Sequence, residues 1–165
     1  MLLALVGLVI FIFFGLVVFF GAPYVPTHKK VLIEMFDELA LKRGSTFVDL
    51  GSGDGKLLKL AAQKGYKAVG YEINPILCVI SWVRCWRYRD VVKIYLRNFW
   101  ISDLPKQTDV VFVFLADIFM QKFKQRMIDQ SKILKKPILV VSNGFKIPGT
   151  KPVGSIKSLQ IYKIG

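Results

Sequence analysis

Between residues 46 and 143 short, continuously apolar runs alternate with longer runs of helical period, and few folds accept that order. TFVDLG (46–51), KAVGYE (67–72), VVKIYLR (91–97), DVVFVFL (109–115) and PILVVSN (137–143) have strand length. GKLLKLAAQKG (55–65), NPILCVISWVRCWRY (74–88) and IFMQKFKQRMIDQSKIL (118–134) repeat their apolar residues every three or four positions. Strands apolar on successive residues are buried on both faces, which implies parallel pairing, and right-handed crossovers then wind helices onto both sides. The expected fold is therefore α/β, a doubly wound and mostly parallel sheet. VLIEMFDELAL (31–41) predicts one earlier helix, capped by Thr27 and ended by Gly44. Asn74 and Pro75 form the expected start of another, since proline is favoured at the first helical position. GFKIPGTKPVG (144–154) reads as one loop, and KSLQIYKI (157–164), which alternates, as an edge strand.

The first 22 residues, MLLALVGLVIFIFFGLVVFFGA, carry no charge. As a helix they would span roughly 33 Å, enough to cross a bilayer core. A cleaved signal peptide would have a basic start and a small-residue exit, and neither is present. The segment is expected to be a membrane anchor over 1–22, followed by one domain over 23–165. All 24 Lys and Arg residues lie after it, nearest first Lys29, Lys30, Lys42 and Arg43, which predicts a domain on the cytoplasmic or matrix-equivalent side. The net charge of +13 then suits an anionic lipid surface. Nucleic acid would also explain basicity, but the charge is spread along the chain and no nucleic-acid partner is expected. Cys78 and Cys85 fall on one helix face two turns apart, too far for a disulfide, and with one His a metal site is not expected. The oligomeric state is open.

VDLGSGDG (48–55) sets three glycines, at 51, 53 and 55, between a strand and a helix. In such a sheet ligands bind beyond the carboxyl ends of the strands, where backbone amides at a helix start are open to them. The spacing lacks the third glycine of a dinucleotide fingerprint, and no G-K-[ST] follows. Asp49 and Asp54 would repel a pyrophosphate and attract a ligand with a cationic end. Glu72, ending the second strand, can accept both hydroxyls of a ribose. A ribose joined to a cationic amino-acid end describes S-adenosylmethionine.

VDLGSGDG followed by GYEINP resembles motif I and the following acid of class I S-adenosylmethionine-dependent methyltransferases. PYVPT (23–27), LRNFW (96–100), DVVFVFL (109–115) and SNGFKIPGTKP (142–152) together resemble the family of lysine N-methyltransferases acting on the ATP synthase c-subunit and the adenine nucleotide translocase, with their prokaryotic relatives. The resemblance spans most of residues 23–150. It implies a Rossmann-like fold, with a trimmed C-terminal hairpin, and S-adenosylmethionine as cofactor. Its cofactor residues would be Asp49, Gly51, Ser52, Gly53, Asp54, Gly55, Glu72 and Asn74, with Asn98 and Phe99 or Trp100 at the adenine and Thr27 closing over it. Tyr24, Phe114 and Asp117 are the catalytic candidates it suggests, and Leu115 would border the transferring methyl. The acceptor it implies is a lysine side chain of a protein, one embedded in a membrane. Ala116 and Thr150 depart from the family pattern, on the side of the acceptor.

Plainer roles compete at several positions. Asn98 could shape a turn, Phe99 and Trp100 could be core, and Tyr24 could belong to an interfacial aromatic belt. His28 reads as a first-turn residue and Asp117 as a cap of the helix beginning at 118. Trp82 and Trp86, one turn apart, read as core or interface packing. Methyl transfer to an amine needs alignment and a desolvated, neutral nucleophile, so no dedicated base is expected. A lipid or small apolar acceptor, or a non-catalytic anchored module, are the alternative readings.

Overall fold

The computed structural model describes residues 29–165. The anchor expected over 1–22, and Tyr24, Pro26, Thr27 and His28, lie outside the described residues. Among the described residues no helix is long and apolar enough to cross a membrane.

The elements are α1 (Lys29–Leu39), β1 (Thr46–Leu50), α2 (Lys56–Gln63), β2 (Lys67–Glu72), α3 (Pro75–Cys85), β3 (Val92–Leu96), β4 (Thr108–Val113), α4 (Asp117–Leu134), β5 (Ile138–Asn143), β6 (Gly154–Ile156) and β7 (Leu159–Ile164). They form one sheet of seven strands in the order β3-β2-β1-β4-β5-β7-β6. The first five of these pair in parallel, and β7 runs antiparallel to both β5 and β6. The strand order reverses between β1 and β4, which is where a doubly wound sheet opens a crevice for ligand.

Side chains alternate across β1, and each set enters a different core. Phe47 joins Ala68, Val110, Phe112 and residues of α1 and α2 on one face. Val48 and Leu50 join Val111, Val113, Val140 and Met120, Phe123 and Met127 of α4 on the other. Phe36 of α1 packs its ring 5.0 Å from Phe47 and 5.5 Å from Tyr66. Burying a side chain of that size contributes about 2–3 kcal/mol.

Four expectations need correction. α1 ends at Leu39 with Ala40 at φ 41°, whereas Gly44 serves the turn into β1, its N–H donating to Gly65 O at 2.9 Å. The run 157–164 is not the sheet edge, because β7 lies between β5 and β6 and the three-residue β6 takes the edge. The C-terminal hairpin of β6 and β7 is short, in keeping with the trimmed one expected, while the loop before it stops at residue 153 instead of 154. Asp117 is the first residue of α4, not its cap: the cap position is Ala116, with no side-chain bond.

Candidate functional site

The glycine loop leaves β1 at Leu50 and enters α2 at Lys56. The amides of Gly51 and Ser52 both donate to Tyr71 O, at 2.8 and 3.0 Å, so the loop hooks over the end of β2. Gly55 is held at φ 75°, and a Cβ there would lie 2.0 Å from Ser81 Oγ and 2.9 Å from Ser81 Cβ. Only glycine lets the start of α2 sit against α3 this closely. Gly70 meets the same demand from β2, since its Cβ would lie 2.5 Å from Leu58 Cδ1 and 2.6 Å from Ser52 Oγ.

Asp49 stands in register with Gly70 on one side and Phe112 on the other. It is 4% exposed, and among the described residues no hydrogen bond or ion pair compensates its carboxylate. Burial, reinforced by the carboxylates of Glu72 and Asp54, pushes its pKa up from 3.8 to about 8. A buried acid whose charged neighbours are both acids is stabilised by a cation and destabilised by an anion. Buried Ser52 Oγ also lacks a partner among the described residues. This donor set suits a ligand with a cationic end and further polar groups.

Glu72 is buried as well, but its carboxylate is engaged. Oε2 accepts from Gly53 N at 2.8 Å, and Oε1 accepts from Ile73 N and Asn74 N at 2.9 and 2.8 Å. One side chain therefore ties the glycine loop to the turn after β2. Asn74 caps α3 as expected, its Oδ1 accepting from Ile76 N and Leu77 N at 3.0 and 3.2 Å, with Pro75 at the first helical position. Asp54 has partners of its own: it pairs with Arg84 of α3 at 2.6 Å and its Oδ1 accepts from Lys56 N at 3.2 Å.

The segment after β3 comes to the same end of the sheet. Asn98 shapes its own turn, with Oδ1 accepting from Trp100 N at 2.9 Å. Phe99 and Trp100 are half-buried, their rings 4.7 Å apart, and Trp100 is fastened to α4 by Phe119 at 6.2 Å and Lys122 at 4.6 Å. Gln130 secures this stretch further, accepting from Leu104 N at 2.8 Å and donating to Asp103 Oδ1 at 2.9 Å. After β4, Leu115 is buried and Phe114 half-buried, its ring 6.3 Å from Phe145. Asp117 is exposed, without a hydrogen bond or ion pair among the described residues.

Asp49, Gly51, Ser52, Gly53, Gly55, Glu72 and Asn74 thus converge at the ends of β1 and β2, with Asn98 and Phe99 beyond β3 and Phe114 and Asp117 beyond β4. Three contributors had not been singled out. Arg84 neutralises Asp54, Ser81 sets the spacing against Gly55, and Gly70 clears room for Ser52. Ser81 shares its buried helix face with Cys78 and Cys85, a stripe of small residues that the spacing alone would have revealed. Arg84 lies thirty positions from its partner, and no local pattern joins them. Both cysteines are free, as expected, and burial raises their thiols, that of Cys78 to about 11.

Comparison with known proteins agrees with this geometry. The ANTKMT methyltransferase domain model matches residues 49–154. The human lysine N-methyltransferase of the ATP synthase c-subunit is 33% identical over 117 residues, covering 68% of this chain and 50% of that protein. The chain spans about half the length of that relative. A protein-lysine N-methyltransferase of Saccharolobus islandicus is 33% identical over 139 residues, covering 82% of this chain and 84% of the relative. Among solved structures, an RNA methyltransferase from Salinibacter ruber in complex with S-adenosyl-L-homocysteine superposes with a TM-score of 0.73 at 25% identity, covering 85% of this chain and 92% of its own.

Proposed function

The chain belongs to the ANTKMT methyltransferase domain family, and from that premise we propose that it methylates lysine side chains of a protein. Its cofactor is S-adenosylmethionine, the methylated form of the molecule in the Salinibacter ruber complex. When bound, the cofactor supplies an electrophilic methyl group on a sulfonium and, at its other end, an ammonium.

The observation that carries this reading is Asp49, a buried carboxylate with no partner among the described residues, beside a glycine loop. It would receive the cationic end. Glu72 would hold the loop in shape through its three backbone amides, with one lone-pair direction left for a ribose hydroxyl. Asn98 and Phe99 border the place of the adenine. Phe114 and Leu115 border the acceptor. An apolar, aromatic surround disfavours the ammonium form of a lysine, so desolvation readies the nucleophile without a dedicated base. The acceptor protein would be a membrane one, reached by a chain anchored through residues 1–22 with its domain on the cytoplasmic or matrix-equivalent side. The uncharged segment and the net charge of +13 support that part of the reading.

The test is incubation with S-adenosylmethionine carrying a labelled methyl, membranes of the source organism and, separately, its RNA. Asp49→Asn is the control. Alkali-stable label in a protein band, lost in the control, is the expected result. Label in the lipid extract or the RNA fraction would replace the lysine reading with another acceptor. No label anywhere, with no cofactor binding, would leave a non-catalytic module.

A further inference from the structure

Helix α3 buries its small side chains and exposes its large apolar ones. Cys78, Ser81 and Cys85 are buried against the loop at Gly55 and the end of β2. The opposite face shows Ile76 at 57% and Val83 at 73% exposure, with Val79 and Ile80 between them, and Trp86, in the 3-10 turn that follows, continues it at 65%. These five follow helical three- and four-residue spacing, so they form one stripe, roughly 15 Å long. A helix on a soluble surface normally turns polar residues outward. Leu96 of the edge strand β3 extends the exposed apolar surface, and Trp82 lies between, its Nε1 donating to Ile94 O at 3.3 Å.

The charges around this surface are predominantly positive. Arg87, Arg89, Lys93 and Arg97 belong to the segment 73–97, where Asp90 is the sole acid and Arg84 is already paired with Asp54. Arg89 lies over the Trp86 ring at 5.1 Å. We propose that the outer face of α3, with the exposed edge of β3, docks on an anionic lipid bilayer. A bilayer offers an apolar layer to the stripe and negative headgroups to the arginines, and tryptophan favours the boundary between them. A second copy of the chain would instead bring two arginine-rimmed patches together. The chain's own residues 1–22 are uncharged and offer nothing to these cations. Because α3 starts at Asn74, beside Glu72, this docking holds the cofactor end of the sheet close to the lipid surface. The inference does not depend on the methyl acceptor.

The experiment uses the full chain carrying Trp100→Phe, so that emission comes from Trp82 and Trp86. It is mixed with vesicles of phosphatidylcholine, or of phosphatidylcholine and phosphatidylglycerol, with brominated acyl chains. Flotation reports separately whether the chain is on the vesicle. The expected result is quenching of about twofold or more on anionic vesicles and less on neutral ones. Adding Val83→Glu and Arg87→Glu, both on exposed positions, should abolish the quenching while cofactor binding stays at the level of Trp100→Phe alone. Flotation without quenching would overturn the proposal and leave the anchor reading standing. Quenching that survives Val83→Glu and Arg87→Glu would overturn it too. So would a lipid-independent, concentration-dependent blue shift, which would indicate a second copy. Absence of flotation would overturn docking and anchor together.

Discussion

The two halves of the crevice are built from different materials. The cofactor half, at the ends of β1 and β2, is made of backbone and acids: glycines at positive φ, amides shared onto Tyr71 O, and the three bonds to Glu72. The other half, beyond β3 and β4, where the proposed function puts the adenine and the acceptor, is made of half-buried rings, with Phe99, Trp100, Phe114, Phe119 and Phe145 in pairs. The first half holds one shape because its loop amides have stated partners and its close approaches admit no extra atom. The second is held by ring contacts, which tolerate sliding. Substitutions in the first half should therefore cost stability or cofactor binding, and substitutions in the second should cost turnover.

The largest effect is expected at Gly55. Gly55→Val puts a branched side chain into Ser81 on backbone held at φ 75°. It should destabilise the domain by about 3 kcal/mol and abolish cofactor binding. Thermal unfolding and calorimetric titration measure both, and an unchanged melting temperature would break the contrast between the halves.

Asp49→Asn comes next. Cofactor affinity should fall on the order of 100-fold, because a buried opposite charge is lost. The cofactor-free protein should respond in the opposite sense. Its folded-state carboxyl is raised to about 8 from 3.8, so between those values the folded state holds a proton that the unfolded state releases. Stability then falls as pH rises through that window, and Asp49→Asn should remove this fall. In the unsubstituted protein, cofactor binding should release a proton below pH 8 and weaken as pH drops. Titration in buffers of different ionisation enthalpy reads the proton count, and a count of zero would mean that Asp49 does not meet the cation.

Phe114→Ala sharpens the contrast from the acceptor side. It should lower kcat about tenfold while cofactor Kd stays within about twofold. Equal losses in both would merge the two halves into one. The smallest effect is expected for Arg84→Met, which breaks a partly exposed ion pair to Asp54 and should cost about 1 kcal/mol or less. A larger loss would mean that Asp54, once released, turns toward Asp49.

The halves also differ in how far they could be read from the chain. Glycine spacing, Asp49 at a strand end and Asn74-Pro75 at a helix start are local signals whose physics acts within a few residues, and the structure bears out the elements they imply. Asp54 looked like a second acid facing the ligand, and its engagement by Arg84 is a tertiary fact. Trp82 and Trp86 read as core or interface packing, and their exposure removes the core alternative. The inner face of α3 instead needs small residues to let Gly55 approach, so the large ones turn outward. KSLQIYKI carried a true strand signal, but alternation cannot tell an edge strand from one covered by a three-residue neighbour. The ring pairs beyond β4 drew their meaning from family resemblance, since apolar residues at strand ends are common in any core.

The close approach at Gly70 bears on how such a protein can be redesigned. A side chain there would have to displace Leu58 and Ser52 together, so no single substitution offers a passable intermediate. A combinatorial library aimed at a new acceptor would waste its diversity on β1, β2 and the loop between them. It should hold that block constant and randomise the aromatic positions 114 and 145, where each variant can be screened on an intact cofactor site.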